Sequence, residues 1–290
     1  MPAPAVPPGS AIPRSIALTM TGISWCDFTT NAWAGCTQVP PNAGGRSGCA
    51  VCYAAAFSRR RLGVTFGPGE ARRKLVGHRD RMRRLDRLAS ETGLAFSVFF
   101  LSLGDWLDPE VDPAWRAELV ETVEACAHLT WLPLTHRPHL ARKLLPASWR
   151  TAPPANVWPG VTVDHPAHGY RWNRHHLEYW GHTARAWISA EPLAASLALL
   201  DLRDAAVIIY GGASGTTDPT WEFRSHWVEE AVARYGEERI YFKQYGDFYE
   251  GARIGKKAAG RVLGGRIYDH TPWPRHRDLL QAAAAGDAAP

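Results

Sequence analysis

The chain has 290 residues, 46% of them apolar, and a formal net charge of +5. That is enough to bury a full core, and the length reads as one large α/β domain rather than two small ones. Five cysteines in no regular even framework exclude a disulfide scaffold and point to a reducing cytoplasm; no apolar run suits a signal peptide or a membrane span, so no membrane partner is expected.

Residues 1–20, rich in Pro and Ala, and residues 276–290, with Ala repeats from Gln281, are expected to be disordered or flexible extensions of a single domain over 21–275. A first strand is expected around Trp25 and Cys26. It leads into Cys36-x12-Cys49-x2-Cys52, directly followed by Tyr53. Two thiolates with two residues between them grip one metal centre from a single turn, and Gly48 lets the backbone fold tightly beside Cys49. Three thiolates make an incomplete cage. A structural zinc site wants four protein ligands, whereas three leave a position open for water, substrate or cofactor, and three on an iron–sulfur cluster leave one iron open. The competing reading is a zinc knuckle with Cys26 as fourth ligand.

Between Arg59 and Arg87 eleven Lys or Arg face only three acids, Glu70, Asp80 and Asp86, so the positive charge is concentrated here and the remainder is mildly acidic. Such a segment suits a nucleic-acid or polyphosphate partner. The spacing of Met82, Leu85, Leu88 and Ala89 on one face, and of Arg79, Arg83 and Arg87 on another, equally describes a solvated amphipathic helix over 78–92.

Strands and helices then alternate. Strands are expected at Ala95–Ser102, Thr130–Thr135, Val157–Val163, Arg185–Ser189, Ala206–Tyr210 and Arg239–Lys243. Asp112-Pro113 caps a helix carrying Trp115, Leu119 and Val123, and a second clear helix runs from Thr220 to Tyr235, stopped by Gly236. Cys126 falls on the apolar face of the first and reads as core. Repeated β-α units give a parallel sheet covered by helices, and six or seven of them suggest a partial or complete (β/α) barrel. No Gly-x-Gly-x-x-Gly follows a strand, so a dinucleotide-binding fold has no support.

A barrel gathers chemistry at the carboxyl ends of its strands. Those ends carry Ser102-Leu103-Gly104-Asp105, Thr135-His136-Arg137, Thr162-Val163-Asp164, Ser189-Ala190-Glu191, Gly211-Gly212-Ala213-Ser214 and Lys243-Gln244-Tyr245. The candidate catalytic residues are His136, Lys243 and Gln244. His165, His168, His175, His176 and His182 crowd one region without the spacing of a helical metal site and are expected mostly at the surface.

These residues resemble a known family, the phage-type three-cysteine domain of unknown function, which is related to radical S-adenosylmethionine (SAM) enzymes. The resemblance runs from about Gly22 to about Pro274 and rests on Ile23–Val39, Gly48–Ala54 (GCAVCYA), Phe100–Leu107 (FLSLGDWL), Leu134–Pro138 (LTHRP), Asn156–Asp164, Ser189–Leu193 (SAEPL), Ile209–Gly215, Phe242–Gly246 and Gly255–Arg266. It implies a barrel of the radical SAM type in which Cys36, Cys49 and Cys52 hold a [4Fe-4S] cluster and S-adenosyl-L-methionine chelates the fourth iron. Reduction by a flavodoxin or ferredoxin would then yield a 5′-deoxyadenosyl radical that abstracts hydrogen. By the same resemblance Ser102, Gly104 and Asp105 meet the SAM amino group, Thr162 and Asp164 its ribose with Ser189 and Glu191 on the next strand, and Tyr53 packs near adenine. The first cysteine gap is twelve residues where radical SAM enzymes usually have three. The expected substrate is a nucleobase in DNA or RNA, contacted through Arg59–Arg87. The alternatives are a non-catalytic iron–sulfur or zinc-stabilised nucleic-acid-binding module, and a radical SAM enzyme acting on a peptide or small metabolite.

Overall fold

The structure is a computed structural model that describes residues 12–41, 46–151 and 153–286. Seven strands form one parallel sheet whose spatial order is their chain order: β1 (Phe28–Thr30), β2 (Ser97–Phe100), β3 (Thr130–Thr135), β4 (Gly160–Thr162), β5 (Trp187–Ala190), β6 (Ile208–Gly211) and β7 (Ile240–Gln244). A sheet that grows one neighbour at a time in one direction curls into a barrel wall, and here it stops as a partial barrel with β1 and β7 as its edges. Strands β2 to β6 are buried almost throughout because interior side chains cover one face and the outer layer the other.

The period of two along a strand explains what fills this barrel. One interior layer is Phe99, Leu132, Trp187, Ile209 and Tyr241, joined by Trp25, Cys26, Val207 and Trp273 in a single apolar cluster. Two residues further along the same inward register stand Leu101, Leu134, Ser189 and Lys243, and two beyond those His136 and Glu191, all facing one cavity. The barrel is thus plugged at one end and open at the other. Gly160 is part of the plug: a Cβ there would lie 2.3 Å from Trp187 Cε2, so the indole occupies the space a side chain would need.

The seam between β1 and β7 is sealed by the chain from Tyr268 to Arg277. Phe242 N donates to Tyr268 O (2.8 Å), Trp273 Nε1 to Trp25 O (2.8 Å) and His276 N to Asp27 Oδ1 (2.8 Å). Arg277 Nη1 reaches the carbonyls of Thr21, Ile23 and Cys26 at 2.8–3.0 Å.

Around the wall lie α1 (Arg14–Ala17), α2 (Tyr53–Leu62), α3 (His78–Thr92), α4 (Pro113–Ala125), α5 (His226–Tyr235) and α6 (Arg277–Ala285). Helix α3 buries Met82, Leu85, Leu88 and Ala89 as its sequence requires, and Asp112 Oδ1 caps α4 through Ala114 N at 2.8 Å. Four expectations need correction. The first strand begins at Phe28, because Trp25 and Cys26 belong to the interior plug. The helix expected over 220–235 starts only at His226, after a separate turn at Pro219–Trp221. The β5–β6 connection, 191–207, holds no helix. The terminal extensions are ordered where they meet: Arg14 Nε donates to Ala284 O (2.9 Å), and Ala17, Leu280 and Ala283 are buried. Leu280 and Ala283 give α6 an apolar stripe that an alanine-rich composition hides. Residues 1–11 and 287–290 of those extensions lie outside the described residues.

Candidate functional site

From β1 the chain passes through a short antiparallel pair, Trp33–Ala34 with Arg73–Lys74, and reaches Cys36. Close packing guides it: Gly35 N donates to Leu103 O (3.0 Å), and a Cβ on Gly104 would lie 3.0 Å from Trp33 Nε1 and 3.1 Å from Gly35 O. The next residue is clamped. Thr37 N and Oγ1 donate to the two oxygens of Asp108 (3.1 and 2.5 Å), and Arg72 bridges Asp108 (2.9 Å) and Thr37 Oγ1 (2.6 Å). Burial would raise the Asp108 carboxyl, but Arg72 and Thr37 outweigh it and hold it below the usual carboxylate range.

Cys49 sits in a helical turn, Gly48–Val51, capped by Ser47 Oγ, which accepts from Cys49 N (3.2 Å). Cys52 is the N-cap position of α2. The turn is seated on β4 by Gly48 N, which donates to Asp164 Oδ2 at 2.6 Å. A Cβ on Gly48 would meet Pro192 Cδ at 2.8 Å and Asp164 Oδ2 at 2.9 Å, so only glycine fits.

All three sulfurs are surrounded by donors. Cys36 Sγ accepts from Gln38 N (3.4 Å) and Arg137 Nη1 (3.6 Å), and Cys49 Sγ from Val39 N (3.3 Å). The backbone N–H groups of Ala54 and Ala55, in the first turn of α2, face Cys52. Burial nevertheless pushes all three thiols up, Cys36 to about 12. They are protonated at neutral pH, and a bound metal centre would displace those protons.

The three cysteines share one cavity of about 180 Å3 with Tyr53, Ser102, Gly104, Asp105, His136, Thr162, Ser189, Glu191, Lys243 and Gln244. Every expected site residue except Asp164 lines it. Two acidic residues are spent on structure. Asp105 accepts from Leu107 N (3.0 Å), Thr135 Oγ1 (2.7 Å), His136 N (3.1 Å) and Arg137 Nη1 (2.8 Å), so its carboxylate has no capacity left for an ammonium group. Asp164, assigned to the ribose by resemblance, is buried behind the wall and bound by Gly48 N, His168 Nδ1 (2.5 Å) and Arg171 Nη1 (3.2 Å). Burial would raise it, but His168, His136 and Arg171 hold it far below the usual range.

His136 has a fixed proton. Arg171 Nη1 donates to its Nδ1 (3.3 Å), which leaves the proton on Nε2. Burial lowers its pKa to about 4, so it is neutral. At the β5 and β7 end, Lys243 Nζ and Glu191 Oε1 form a 2.7 Å ion pair, and Ser189 Oγ donates to Glu191 Oε2 at 3.5 Å. Burial would lower Lys243, but Glu191 outweighs it and keeps the amine charged. Tyr53 Oη donates to Ser102 O (3.3 Å) at the cavity edge, and Gln244 Nε2 to Gly212 O (3.4 Å).

Cys26 is fully buried in the plug and does not line the cavity, so it completes no knuckle with the other three. Among the described residues no three His, Cys, Asp or Glu side chains converge closely enough for a single metal ion. Three cavity-lining thiols suit a centre that keeps one position open better than a closed structural zinc site, which takes four protein ligands.

Sequence reasoning missed Arg72, Asp108, Arg137, His168 and Arg171, although Arg137 stood inside LTHRP and His168 lies four residues after Asp164. His168 and His176 are buried, against the surface expectation; His176 stacks on Trp172 at 5.4 Å. The side chain of His182 lies outside the described residues. The basic segment divides: Arg72 is buried in its clamp, Lys74 and Arg79 pair with Glu118 and Glu121, and Arg59, Arg60 and Arg61 stand exposed on α2.

The fold and the rim define an α/β partial-barrel protein with a three-cysteine cavity. The chain belongs to the family described as "Protein of unknown function (DUF5131)", whose model matches residues 20–272. Among solved structures it is similar in fold to spore photoproduct lyase. A cysteine-to-serine mutant of that protein aligns with TM-score 0.41 and 12% identity over 72% of this chain and 62% of that one. A double mutant with bound AdoMet and dinucleoside spore photoproduct aligns with TM-score 0.41 and 12% identity over 72% and 61%. The chain thus spans about three fifths of the length of these proteins. No curated protein matches it in sequence. No helix among the described residues is long and apolar enough to cross a membrane.

Proposed function

We propose that this protein is an iron–sulfur enzyme in which Cys36, Cys49 and Cys52 hold a [4Fe-4S] cluster whose fourth iron binds SAM. When bound, the cluster supplies one electron that cleaves SAM to methionine and a 5′-deoxyadenosyl radical, a hydrogen-abstracting species. The observation that carries the reading is that the three thiols open onto one cavity with a ring of polar groups that includes hydroxyls, a neutral histidine and a paired Lys243 and Glu191.

The chain's own residues do the rest. Gln38 N, Val39 N and the start of α2 offset negative charge on sulfur. Ser102, Thr162 and Ser189 offer hydroxyls, and His136 a neutral Nε2–H, for the cofactor's ribose and adenine; Tyr53 offers a ring face. The Trp25, Trp187 and Trp273 plug closes the far end to water. Lys243 and Glu191 form a net-neutral pair suited to a group that both donates and accepts. Gly104, Asp105 and Asp164 position the cysteine segment. The electron comes from an external one-electron reductant of the flavodoxin or ferredoxin class.

The substrate we propose is a nucleobase within DNA or RNA. Tyr53 and Phe57 are exposed one helical turn apart on α2, followed by Arg59, Arg60 and Arg61, which places aromatic faces and charge on the helix that starts at the cavity. Anaerobic reconstitution with iron and sulfide, then reduction with SAM, tests the enzyme: 5′-deoxyadenosine forms, and Cys36→Ala, Cys49→Ala and Cys52→Ala abolish it. One tightly held zinc and no deoxyadenosine would overturn it.

A further inference from the structure

Arg137 is 6% exposed and locked from both ends. Its backbone N donates to Thr135 Oγ1 (2.8 Å), which itself donates to Asp105 Oδ1, and its Nη1 is shared between Asp105 Oδ2 (2.8 Å) and Cys36 Sγ (3.6 Å). Its Nη2 is buried and has no hydrogen-bond partner among the described residues. A buried guanidinium N–H without an acceptor is costly, and such groups are rarely left so. Here the unfilled donor belongs to the same planar fork that touches a sulfur of the three-cysteine site.

We infer that Arg137 is a positioning residue for the inorganic centre, directing a fixed cation and a free N–H at its Cys36 corner and thereby setting its reduction potential. The inference rests on the proposed cluster. The chemistry is specific to arginine: a lysine could keep the Asp105 pair but has no rigid second donor to offer. Asp105 works against the cation, because its carboxylate sits 2.8 Å from the same Nη1 that touches Cys36 Sγ and partly offsets its charge. The guanidinium itself touches the sulfur at 3.6 Å, so the pair presents an N–H of the cation to the site. Adding an electron to a centre beside that cation is favoured; removing the arginine both deletes the cation and leaves the Asp105 charge uncompensated.

The test is a mediated redox titration of reconstituted protein, read by electron paramagnetic resonance and visible absorbance. In Arg137→Gln the midpoint moves negative by about 59 mV or more, a tenfold fall in the reduced-to-oxidised ratio at a fixed poise. Arg137→Lys moves it less, and Asp105→Asn/Arg137→Gln less than Arg137→Gln alone. An unchanged midpoint in a folded, loaded Arg137→Gln protein overturns the inference and leaves the proposed cluster standing. If the wild type takes up no iron and sulfide, both fall together. If Arg137→Gln does not fold by circular dichroism, Arg137→Lys and the double variant are read against the same criterion. If it folds but holds no iron, recovery of iron in Arg137→Lys supports the inference, and a folded, empty Arg137→Lys overturns it.

Discussion

Gly48 N donates to Asp164 Oδ2 across 2.6 Å, and through this one bond the cysteine turn is fastened to the carboxyl end of β4. The same carboxylate neutralises buried Arg171 and meets His168, so it ties the Cys49–Cys52 turn to the layer beneath it. Replacing it with Asn keeps the shape but leaves Arg171 without its counter-charge. Breaking a buried pair in this way costs about 3–5 kcal/mol. We expect Asp164→Asn to show a lower urea midpoint and to retain less iron than wild type; unchanged iron content would show that the turn holds without it.

Stability depends on pH through buried histidines. In the fold His136 titrates at about 4 and His176 at about 3, both below the ordinary value of 6.5 because burial disfavours the cation. The unfolded chain therefore binds more protons below pH 6.5, and folding stability falls as pH drops from about 6.5 towards 4. One such histidine accounts for about 3 kcal/mol across that window. Urea titrations at pH 7, 5.5 and 4.5 should show the decline, and His136→Gln should flatten it.

Gly160 faces the indole of Trp187 with no room for a methyl group. Gly160→Ala forces the plug to shift, an overpacking cost of about 1–3 kcal/mol. A fall of several degrees in Tm is expected, and a Tm equal to wild type would mean the plug yields freely.

Cys26 distinguishes a structural thiol from the proposed ligands. Cys26→Ser buries a hydroxyl in the apolar plug and should cost about 1–3 kcal/mol while iron content after reconstitution stays at the wild-type level. Loss of iron at normal stability would return Cys26 to the metal site.

On the substrate side, replacing Arg59, Arg60 and Arg61 with Gln should weaken single-stranded DNA or RNA binding and reduce its salt dependence by about 0.7 in log–log slope per lost phosphate contact. Neutralising Arg83 and Arg87 on the outer face of α3 should do less. Equal effects from both sets would indicate diffuse attraction rather than a path to the cavity.

The rim was legible in the sequence because a parallel strand announces itself as an apolar run, and the first polar residues after it must lie at the carboxyl end. Ser102, His136, Thr162, Ser189, Glu191 and Lys243 were found that way. What the sequence hid was partnership. Asp105 and Asp164 look like free ligands until Arg137, Thr135, His168 and Arg171 close around them, and Asp108 is one acid among many until Arg72, 36 residues away, reaches it. Trp25 resembled a strand residue because an interior plug and a sheet select the same aromatic side chains.

The segment from Tyr268 to Arg277 that seals the seam also orders events in time. Its bonds to Thr21, Ile23, Ser24, Cys26 and Asp27 join residues about 250 positions apart, among the longest loops this chain can close. A growing polypeptide can stack its β-α units one by one, yet the wall around Ile23 and Trp25 stays open until Arg277 has emerged. The plugged end of the barrel is therefore the last part to be completed, because Trp273 joins Trp25 and Trp187 only when that final stretch docks.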